Sequence, residues 1–395
     1  MKRWCLGVLI IVFLSGCNSS PSPTIYKPCG VYPDKIIIGS SLALSGHAGY
    51  LGTQFLKGAL AYLKAVNNKG GIWGRKIILK YYDDAYDPPR CLYNTQKLII
   101  EDKVFALFCY VGTPTTLKVI PFVNGAKIPL IGMFTGAHAL RKPFNPYLIN
   151  VRPSYYEETS QAIDHLVKDL NLRKIAIFYQ YDAYGFDGLT GTELALHQYN
   201  LKPITRASYI RGTLHVEKAF AKIYASHPDT VVMVGTYEPC AKFIQLASAK
   251  HFRPVFYLTS FVGAKELARR IKKIDQNVIV SQVMPNPTII PLSDKNGYTY
   301  LLKKYFPEEQ PSFVGLEGFV NAKVLVKGLQ NAGQFPTRQK LIAGIENLHN
   351  FNLGYGIVIN FSKHNHQGLN KVYFTIIKNG KIKMLYNWKK EIKIR

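Results

Sequence analysis

The sequence predicts an α/β protein made of two doubly wound parallel sheets that follow each other along the chain. Short apolar runs alternate with helical patterns, which is typical of parallel sheets covered by helices. The alternation pauses near Val151-Arg152-Pro153 and then begins again. In both halves the strands run into polar, aromatic and glycine-containing loops, where open α/β sheets bind ligands. The 395 residues, 47% of them hydrophobic, are enough for two lobes with sizeable cores.

The first half has four predicted strands and three predicted helices. A glycine-rich loop over residues 40–52 separates the first strand from the first helix, which Lys69-Gly70-Gly71 ends. That helix places Phe55, Ala59 and Leu63 on one face. Strands are expected at 35–39, 76–82, 104–108 and 128–131, and helices at 53–67, at 89–102 and from residue 113 onward.

The stretch from Phe108 to Thr116 is the centre of this first half. A buried strand ends at Phe108, and Thr113 is expected to cap a helix whose first residue is Pro114. Such a junction presents a hydroxyl group and unpaired helical N–H groups, which together suit a carboxylate or another small anion. The alternative is an ordinary capped strand–helix junction with no ligand.

The second half repeats the alternation. Pro239 lies where a helix should begin, and a proline-rich connection spans residues 285–291. Helices are expected at 156–170, 186–199, 216–225 and 316–329, and strands at 174–179, 204–209, 230–234, 255–258, 278–283, 357–361, 372–377 and 381–386.

If the two halves face each other, the loops after their strands line one cleft. We expect that cleft to be rich in aromatic rings and hydroxyl groups and poor in catalytic groups. Its expected lining residues are Tyr50, Thr113, Thr135, Tyr184, Tyr237 and Ser260.

The formal net charge of +26 raises the question of nucleic-acid binding. The Lys and Arg residues are scattered, and the sequence has neither an arginine-rich tract nor a nucleic-acid-binding module. We therefore expect no nucleic-acid partner. Adhesion to an anionic membrane or cell-wall polymer and a merely solvated basic surface both stay open.

The N-terminus resembles the leader of a bacterial lipoprotein. Two basic residues precede an apolar run, Leu6 to Leu14, that is too short to span a bilayer. The following Leu14-Ser15-Gly16-Cys17 resembles a lipobox, which implies cleavage before Cys17 and lipidation of its thiol. We expect a signal peptide at 1–16, a lipidated tether at 17–33, and a protein in the periplasm or cell envelope that Cys17 anchors to a membrane.

Four cysteines remain after Cys17 in the mature chain. An oxidising compartment permits disulfides, and a bridge between Cys91 and Cys109 is favoured among the three possible pairings of Cys29, Cys91, Cys109 and Cys240. The spacing of these cysteines matches no zinc pattern, and we expect no metal and no cofactor.

Several motifs, in order, resemble the branched-chain amino-acid-binding protein family, the type I periplasmic solute-binding proteins of ABC importers. The resemblance covers about residues 35–386. It implies two lobes joined by a three-strand hinge, with crossings near Pro153, Met284-Pro285 and Gly354-Tyr355, so that lobe 1 takes 34–153 and 285–353 and lobe 2 takes 154–284 and 354–395. The motifs are Leu44-Ser45-Gly46, Lys69-Gly70-Gly71-Ile72-Trp73-Gly74-Arg75, Tyr82-Asp83-Asp84, Asp182-Ala183-Tyr184-Gly185 and Gly235-Thr236-Tyr237.

The resemblance also implies a ligand site. A hydroxyl at the Thr113 position and adjacent backbone N–H groups hold the ligand carboxylate, and Thr135 offers a second hydroxyl beside it. Tyr184 and Tyr237 line the pocket from the other lobe, and Tyr50 faces the ligand side chain. The ligand closes the two lobes, and the closed form delivers it to a membrane permease of the ABC type.

One departure concerns the ligand's ammonium group. The family places an acid at the position of Ser260, and burying an ammonium without a counter-charge costs several kcal/mol. Either Glu238 or Glu317 serves instead, or the ligand lacks an α-amino group. The expected ligand is therefore an amino acid, a small carboxylate or an amide.

Other functions find less support in the sequence. There is no nucleophile elbow and no P-loop; Asp83-Asp84 suits a capping turn, and His364-Asn365-His366 suits a solvated loop. We expect no enzyme. The alternative is a two-lobed lipoprotein that regulates cell-wall synthesis or sensing through protein contacts, since this fold also serves such roles. A collapsed cleft with an exposed apolar patch would favour that alternative.

Overall fold

The computed structural model describes residues 29–394, so Cys17 and the leader lie outside the described part of the chain. The strands are β1 Lys35–Leu42, β2 Lys76–Asp83, β3 Ala106–Phe108, β4 Leu130–Ile131, β5 Leu148–Ile149, β6 Ile175–Gln180, β7 Thr205–Tyr209, β8 Thr230–Val234, β9 Val255–Leu258, β10 Val278–Gln282, β11 Phe351–Gly354, β12 Ile357–Ile359, β13 Tyr373–Lys378 and β14 Lys381–Met384. The helices are α1 Gly49–Asn68, α2 Pro88–Ile100, α3 Thr113–Gly125, α4 Tyr155–Asp164, α5 Ala183–His197, α6 Glu217–Ala225, α7 Tyr237–Ala249, α8 Ala264–Arg270, α9 Tyr298–Tyr305, α10 Phe313–Asn331, α11 Arg338–Glu346 and α12 Trp388–Glu391.

The strands form two main sheets. The first sheet has the order β2-β1-β3-β4-β5 and is parallel throughout. The second has the order β14-β13-β10-β9-β8-β6-β7, in which β6 to β10 run parallel and β13 and β14 are antiparallel additions at one edge. The expected architecture of two doubly wound α/β lobes is confirmed. The residue ranges given to the two lobes stay a prediction, apart from the boundary placed between residues 353 and 354.

The first helix begins earlier than expected, at Gly49 and not at Thr53. The glycines here serve close packing between the helix and a strand. A Cβ atom on Gly52 would lie 1.7 Å from the carbonyl oxygen of Ala43. Only glycine permits this approach. Most of the expected loop over 40–52 therefore belongs to β1 and α1, whose facing ends pack closely, and Tyr50 lies in the first turn of α1.

The chain returns from the second sheet to pack on the first. Helix α10 lies against α1 through glycines on both helices. A Cβ atom on Gly58 would meet the carbonyl oxygen of Gly315 at 1.8 Å, and one on Gly318 would meet that of Phe55 at 2.0 Å. This close contact brings the buried Glu317 of α10 toward the carboxyl edge of the first sheet, near Cys109. Burial raises the pKa of the Cys109 thiol, and the nearby Glu317 raises it further.

The third passage between the sheets lies later than expected. The crossing placed near Gly354-Tyr355 is wrong, because these residues join β11 and β12 into a hairpin beside α10, where Lys323 donates to the carbonyl oxygen of Leu353 at 2.7 Å. The passage follows the hairpin, and Gln367 pairs there with Asn150 of the first passage.

The expected Cys91–Cys109 disulfide is not formed, and both residues are buried free thiols. They lie in different core clusters on opposite faces of the first sheet. Cys109 follows Phe108 into the cluster that contains α1, whereas Cys91 lies with Tyr110 in the cluster under α2 and α3. Side chains on opposite faces of a sheet cannot be bridged without moving the backbone.

Two smaller findings bear on function. Across residues 29–394, none of the helices is both long and apolar enough to cross a membrane.

His364 is exposed, as expected, but His366 is buried: its Nδ1 lies 3.0 Å from the carbonyl oxygen of Leu148 and its Nε2 lies 3.1 Å from Glu346. The expectation of a solvated loop is thus wrong for His366, which joins two core segments.

Candidate functional site

The loops at the carboxyl ends of the two sheets meet face to face. Arg211, after β7, donates to the carbonyl oxygen of Tyr86, after β2, at 2.6 Å. Asp187 of α5 accepts a hydrogen bond of 2.9 Å from the backbone N–H of His138, after β4. These contacts join the two lobes across the cleft, so the structure shows the cleft closed.

The first-sheet side of the cleft presents two hydroxyl groups at the start of α3. Thr113 is the first residue of that helix, and Gly112 takes the capping position with φ of 96°, so the cap lies one residue earlier than expected. The side-chain oxygens of Thr113 and Thr135 lie 2.7 Å apart, and Thr135 also accepts from the N–H of Ala137 at 3.2 Å. Both threonines are buried. This hydroxyl pair at a helix N-terminus has the chemistry expected for holding a carboxylate.

Aromatic rings fill the centre between the two sheets. Phe261, after β9, is fully buried and lies with its ring centroid 4.8 Å from Tyr184, 5.3 Å from Phe134 and 5.8 Å from Tyr86. The hydroxyl groups of Tyr184 and Thr259 are 2.8 Å apart. Phe261 thus binds the lobes together in the place where the expected ligand-facing tyrosine also lies.

A second aromatic group lies at the rim. The rings of Tyr50 and Tyr237 meet edge to face with centroids 6.1 Å apart, and the Arg270 guanidinium lies 5.2 Å from the Tyr237 centroid. Burial and nearby acids raise the pKa of Tyr50, whose hydroxyl has no hydrogen-bond partner within the described chain. A cavity of about 120 Å³ lies beside Tyr50, between Lys265 and Ser312.

Ser260 belongs to a buried charged cluster, which also contains Arg152, Glu158 and Glu317. The Ser260 N–H donates to one oxygen of Glu158 at 2.7 Å, and its hydroxyl donates to the other at 2.8 Å. Arg152 donates to both Ser260 and Glu158, the latter at 2.9 Å, and Ser281 donates to Glu158 as well. On its other side Arg152 forms an ion pair of 3.5 Å with Glu317.

The electrostatics of this cluster follow from its burial. Desolvation raises the pKa of Glu317 to about 7, although Arg152 opposes the shift, and Glu158 adds to it. Burial disfavours the charge of Arg152, but Glu317 and Glu158 more than offset that cost and hold its pKa above the ordinary value. One guanidinium therefore faces two carboxyl groups, and the cluster carries no excess positive charge.

The structure separates the expected site residues into four groups. Thr113 and Thr135 form the hydroxyl pair, Tyr50 and Tyr237 form the rim pair, and Tyr184 lies in the aromatic centre. Ser260 belongs to the charged cluster. Of the two acids expected to replace the one missing at Ser260, Glu238 pairs with Arg270 at 2.6 Å and Glu317 pairs with Arg152.

The sequence reasoning missed Arg152, Glu158 and Phe261. Glu157 and Glu158 are neighbours at the start of α4, and only Glu157 has the capping-box spacing from Ser154. Glu157 closes a capping box with Ser154, whereas Glu158 points into the charged cluster. A usable signal was present in Arg152, since an arginine beside an apolar sheet-to-sheet passage needs a buried acid.

Comparisons with known proteins agree with this architecture. A sequence family described as "Periplasmic binding protein" matches residues 35–381. A Leu/Ile/Val-binding protein homolog 7 from Brucella suis is 22% identical over 349 residues, which cover 85% of this chain and 84% of the relative.

Two solved structures are similar over most of the chain. The structure of a possible leucine/isoleucine/valine-binding protein from Rhodopirellula baltica has a TM-score of 0.86 and 33% identity, and the alignment covers 93% of this chain and all of the other. A substrate-binding periplasmic protein from Ralstonia solanacearum has a TM-score of 0.81 and 26% identity, with coverage of 88% and 99%.

Proposed function

This chain belongs to the branched-chain amino-acid-binding family of periplasmic binding proteins, and from that premise we propose that it is an extracytoplasmic lipoprotein that captures a small solute and delivers it to an ABC-type importer. The solute is an amino acid, a small carboxylate or an amide. The observation that carries the proposal is the pair of buried hydroxyl groups, Thr113 and Thr135, at the first turn of α3 between the two sheets.

The ligand's carboxylate or amide oxygen lies at this hydroxyl pair. Each threonine hydroxyl can donate one hydrogen bond, and in the closed cleft the two hydroxyls are only 2.7 Å apart. An oxygen of the ligand replaces this mutual contact and also faces the positive end of the α3 dipole. Tyr184, Tyr237 and Tyr50 surround the rest of the ligand from the opposite side of the cleft.

The charged cluster bears on whether the ligand has an ammonium group. Glu158 and Glu317 pair with Arg152, and Glu238 pairs with Arg270. A carboxylate or amide without an amino group leaves all of these pairs in place. An amino acid requires one of these acids to leave its arginine and pair with the ligand's ammonium. Glu317 is the best candidate, because its ion pair with Arg152 is the longest of the three, at 3.5 Å.

The mechanism is closure driven by the ligand. A ligand that touches both lobes stabilises the closed state by the difference between its affinities for the two states. The hydrogen bonds of Arg211 with Tyr86 and of Asp187 with His138 then stabilise the closed form further. The closed form docks on the permease, and lipidated Cys17 keeps the protein at the membrane.

One observation favours the second function, regulation through protein contacts. Phe261 fills the centre of the cleft with its own ring and packs on residues of both lobes. A cleft that is closed by its own side chains can serve as a fixed scaffold for a partner protein. Under the first function, the ligand displaces this ring when it binds.

The test is a thermal-shift and calorimetric screen of the chain from Asn18 onward, which keeps every described helix and strand. The panel pairs leucine with 4-methylpentanoate and its amide, and phenylalanine with 3-phenylpropanoate and its amide. We expect one class to raise the melting temperature, since a ligand at a hundredfold excess over Kd stabilises the folded state by about 2.7 kcal/mol.

The matched variants are Thr113→Val, in the cleft, and Thr205→Val, on the outer strand of the second sheet. The first is expected to weaken binding about tenfold, the second not at all. If the folded protein binds no member of this panel, and no member of a panel extended to the other amino acids, small carboxylates and amides, the conclusion moves to the regulatory function.

A further inference from the structure

The last 25 residues are the most strongly charged part of the chain. They contain eight basic residues and one acid, Glu391. Most of this segment folds into β13, β14 and α12 at the edge of the second sheet, where Ile382 and Met384 of β14 line the same cavity as Tyr50. None of the expected ligand contacts lies in it, so the proposed function leaves this charge without a role.

Strand register places the lysines of β14 on one face. Lys381 and Lys383 are two residues apart and both exposed, so they point to the same side of the sheet. Ile382 and Met384, between and beside them, are half-buried on the opposite side and line the cavity next to α8.

The same face carries α12. Lys383 pairs with Ile376 across the strands, and Ile376 shares its face with Phe374. The Phe374 ring packs on Trp388 of α12 with centroids 5.1 Å apart. The exposed Lys389 and Lys390 of that helix therefore lie on the lysine-bearing side of β14.

Two more lysines lie at the turn between β13 and β14. Gly380 of that turn is so close to Lys272 that a Cβ atom on the glycine would lie 2.5 Å from the Lys272 Cβ. Lys273 is also exposed, as is Lys393 after α12. We name the following set the C-terminal basic surface: Lys272, Lys273, Lys381, Lys383, Lys389, Lys390 and Lys393.

Carboxylates do little to neutralise this surface. Within residues 29–394, Lys389 alone among the seven lysines has a carboxylate within 4.0 Å, that of Asp169 at 3.8 Å. Glu391 uses its side chain to accept from the backbone N–H groups of Tyr386 and Asn387, at 3.1 and 2.8 Å. The arginines nearby, Arg269 and Arg270, are held by Glu266.

Protection of the sheet edge explains only part of this arrangement. Lysines on an edge strand prevent pairing with another chain, which accounts for Lys381 and Lys383. It does not account for the lysines of α12 or the turn. It also leaves unexplained the exposed apolar groups among them, Tyr386 at 82% and Ile394 at 53% exposure.

We propose that the C-terminal basic surface binds the anionic phospholipid headgroups of a membrane. Among residues 29–394, the cations of this surface that lack a carboxylate partner are lysines. Lysines are compact hydrated cations suited to a fluid array of phosphates, whereas a defined carboxylate or phosphate partner is typically bound by the arginine fork. The exposed Tyr386 is amphipathic and suits the membrane–water interface. This surface orients the folded lobes on the bilayer and needs no ligand in the cleft.

The experiment is vesicle co-sedimentation of the chain from Asn18 onward, which carries no lipid. We expect binding to vesicles with about one third phosphatidylglycerol, little binding to phosphatidylcholine alone, and release at about 0.5 M salt. The variant Lys381→Glu/Lys383→Glu/Lys389→Glu/Lys390→Glu is expected to bind the anionic vesicles at least about tenfold more weakly.

The control reverses the same number of exposed lysines elsewhere, in Lys103→Glu/Lys118→Glu/Lys127→Glu/Lys142→Glu. We expect it to keep most of the binding. An equal loss in both variants would show that net charge alone acts and would overturn the proposal. So would a folded wild-type protein that does not bind anionic vesicles, and circular dichroism establishes folding in each case.

Discussion

The two sides of the cleft differ in how they are built. On the first-sheet side, Thr113 and Thr135 form a neutral pair beside a helix N-terminus. On the other side, Ser260 contacts Glu158 and Arg152, and Arg152 also pairs with Glu317 of α10; all three ionisable residues are buried. Both positions resemble ligand contacts in the sequence, but only the hydroxyl pair is left without a fixed charged partner. The difference shows that a position that matches a ligand contact of the family, here Ser260, can instead stabilise the folded protein.

The difference has an energetic side. A neutral buried hydrogen bond contributes about 1 kcal/mol, and a hydroxyl that loses its partner in the interior costs about 1–3 kcal/mol, less than a charged group would. A buried ion pair gains little overall, yet removing one partner leaves an uncompensated charge in a low-dielectric interior. Substitutions on the two sides should therefore differ in size and in pH dependence.

The largest expected effect is that of Arg152→Met. It leaves Glu158 and Glu317 buried without their shared cation, and we expect the free energy of unfolding to fall by about 3–5 kcal/mol near neutral pH, measured by urea titration. The control is Arg253→Met, which breaks an exposed pair with Asp275 of 3.5 Å and should cost under about 1 kcal/mol. Equal losses in the two variants would show that the cluster is no more important than a surface pair.

The hydroxyl side was predictable because its signals are local. Thr113-Pro114 marks a helix start within two residues, and the strand before it is an apolar run. The order of strands and helices in each lobe follows from the same short-range patterns. The structure moves the cap from Thr113 to Gly112, which is the ordinary one-residue error of helix ends.

The charged side was not predictable because its partners come from distant segments. Glu158 is 102 residues from Ser260 and 123 from Ser281 in the chain. The spacing Ser154-x-x-Glu157 marks Glu157 as the capping acid, but nothing in the local pattern shows where the side chain of Glu158 lies. The failed Cys91–Cys109 disulfide has a similar cause, since the break in strand geometry at Cys109, with φ of 58°, decides which face its thiol takes.

The next effect is a pH dependence that only the charged side should show. The pKa of Glu317 is about 7 in the folded chain, against an ordinary value of 4.5. The folded state holds this proton where the unfolded state releases it, so the free energy of unfolding should fall as pH rises from about 4.5 to 7, by about 3 kcal/mol at most.

The measurement compares wild type with Glu317→Gln at pH values across that window. The difference between the two proteins isolates Glu317, because Asp84 and Asp187, whose pKa values are about 6 through burial, titrate in both. We expect the stability of the wild type relative to Glu317→Gln to drop as pH rises. Parallel curves for the two proteins would mean that Glu317 has the same pKa in the folded and the unfolded chain, which would contradict its raised pKa.

The smallest expected effect is that of Thr113→Val on stability. The substitution keeps the shape of the side chain, removes one hydroxyl of the 2.7 Å pair and leaves Thr135 with its bond from Ala137. The free energy of unfolding should fall by about 1 kcal/mol, with no change across the pH range, because neither hydroxyl titrates there. Thr205→Val, measured in parallel, gives the cost of the same change outside the cleft. A Thr113→Val loss near that of Arg152→Met, or one that varies with pH, would show that the hydroxyl pair is coupled to the charged cluster, and the two sides of the cleft would then have to be treated as one site.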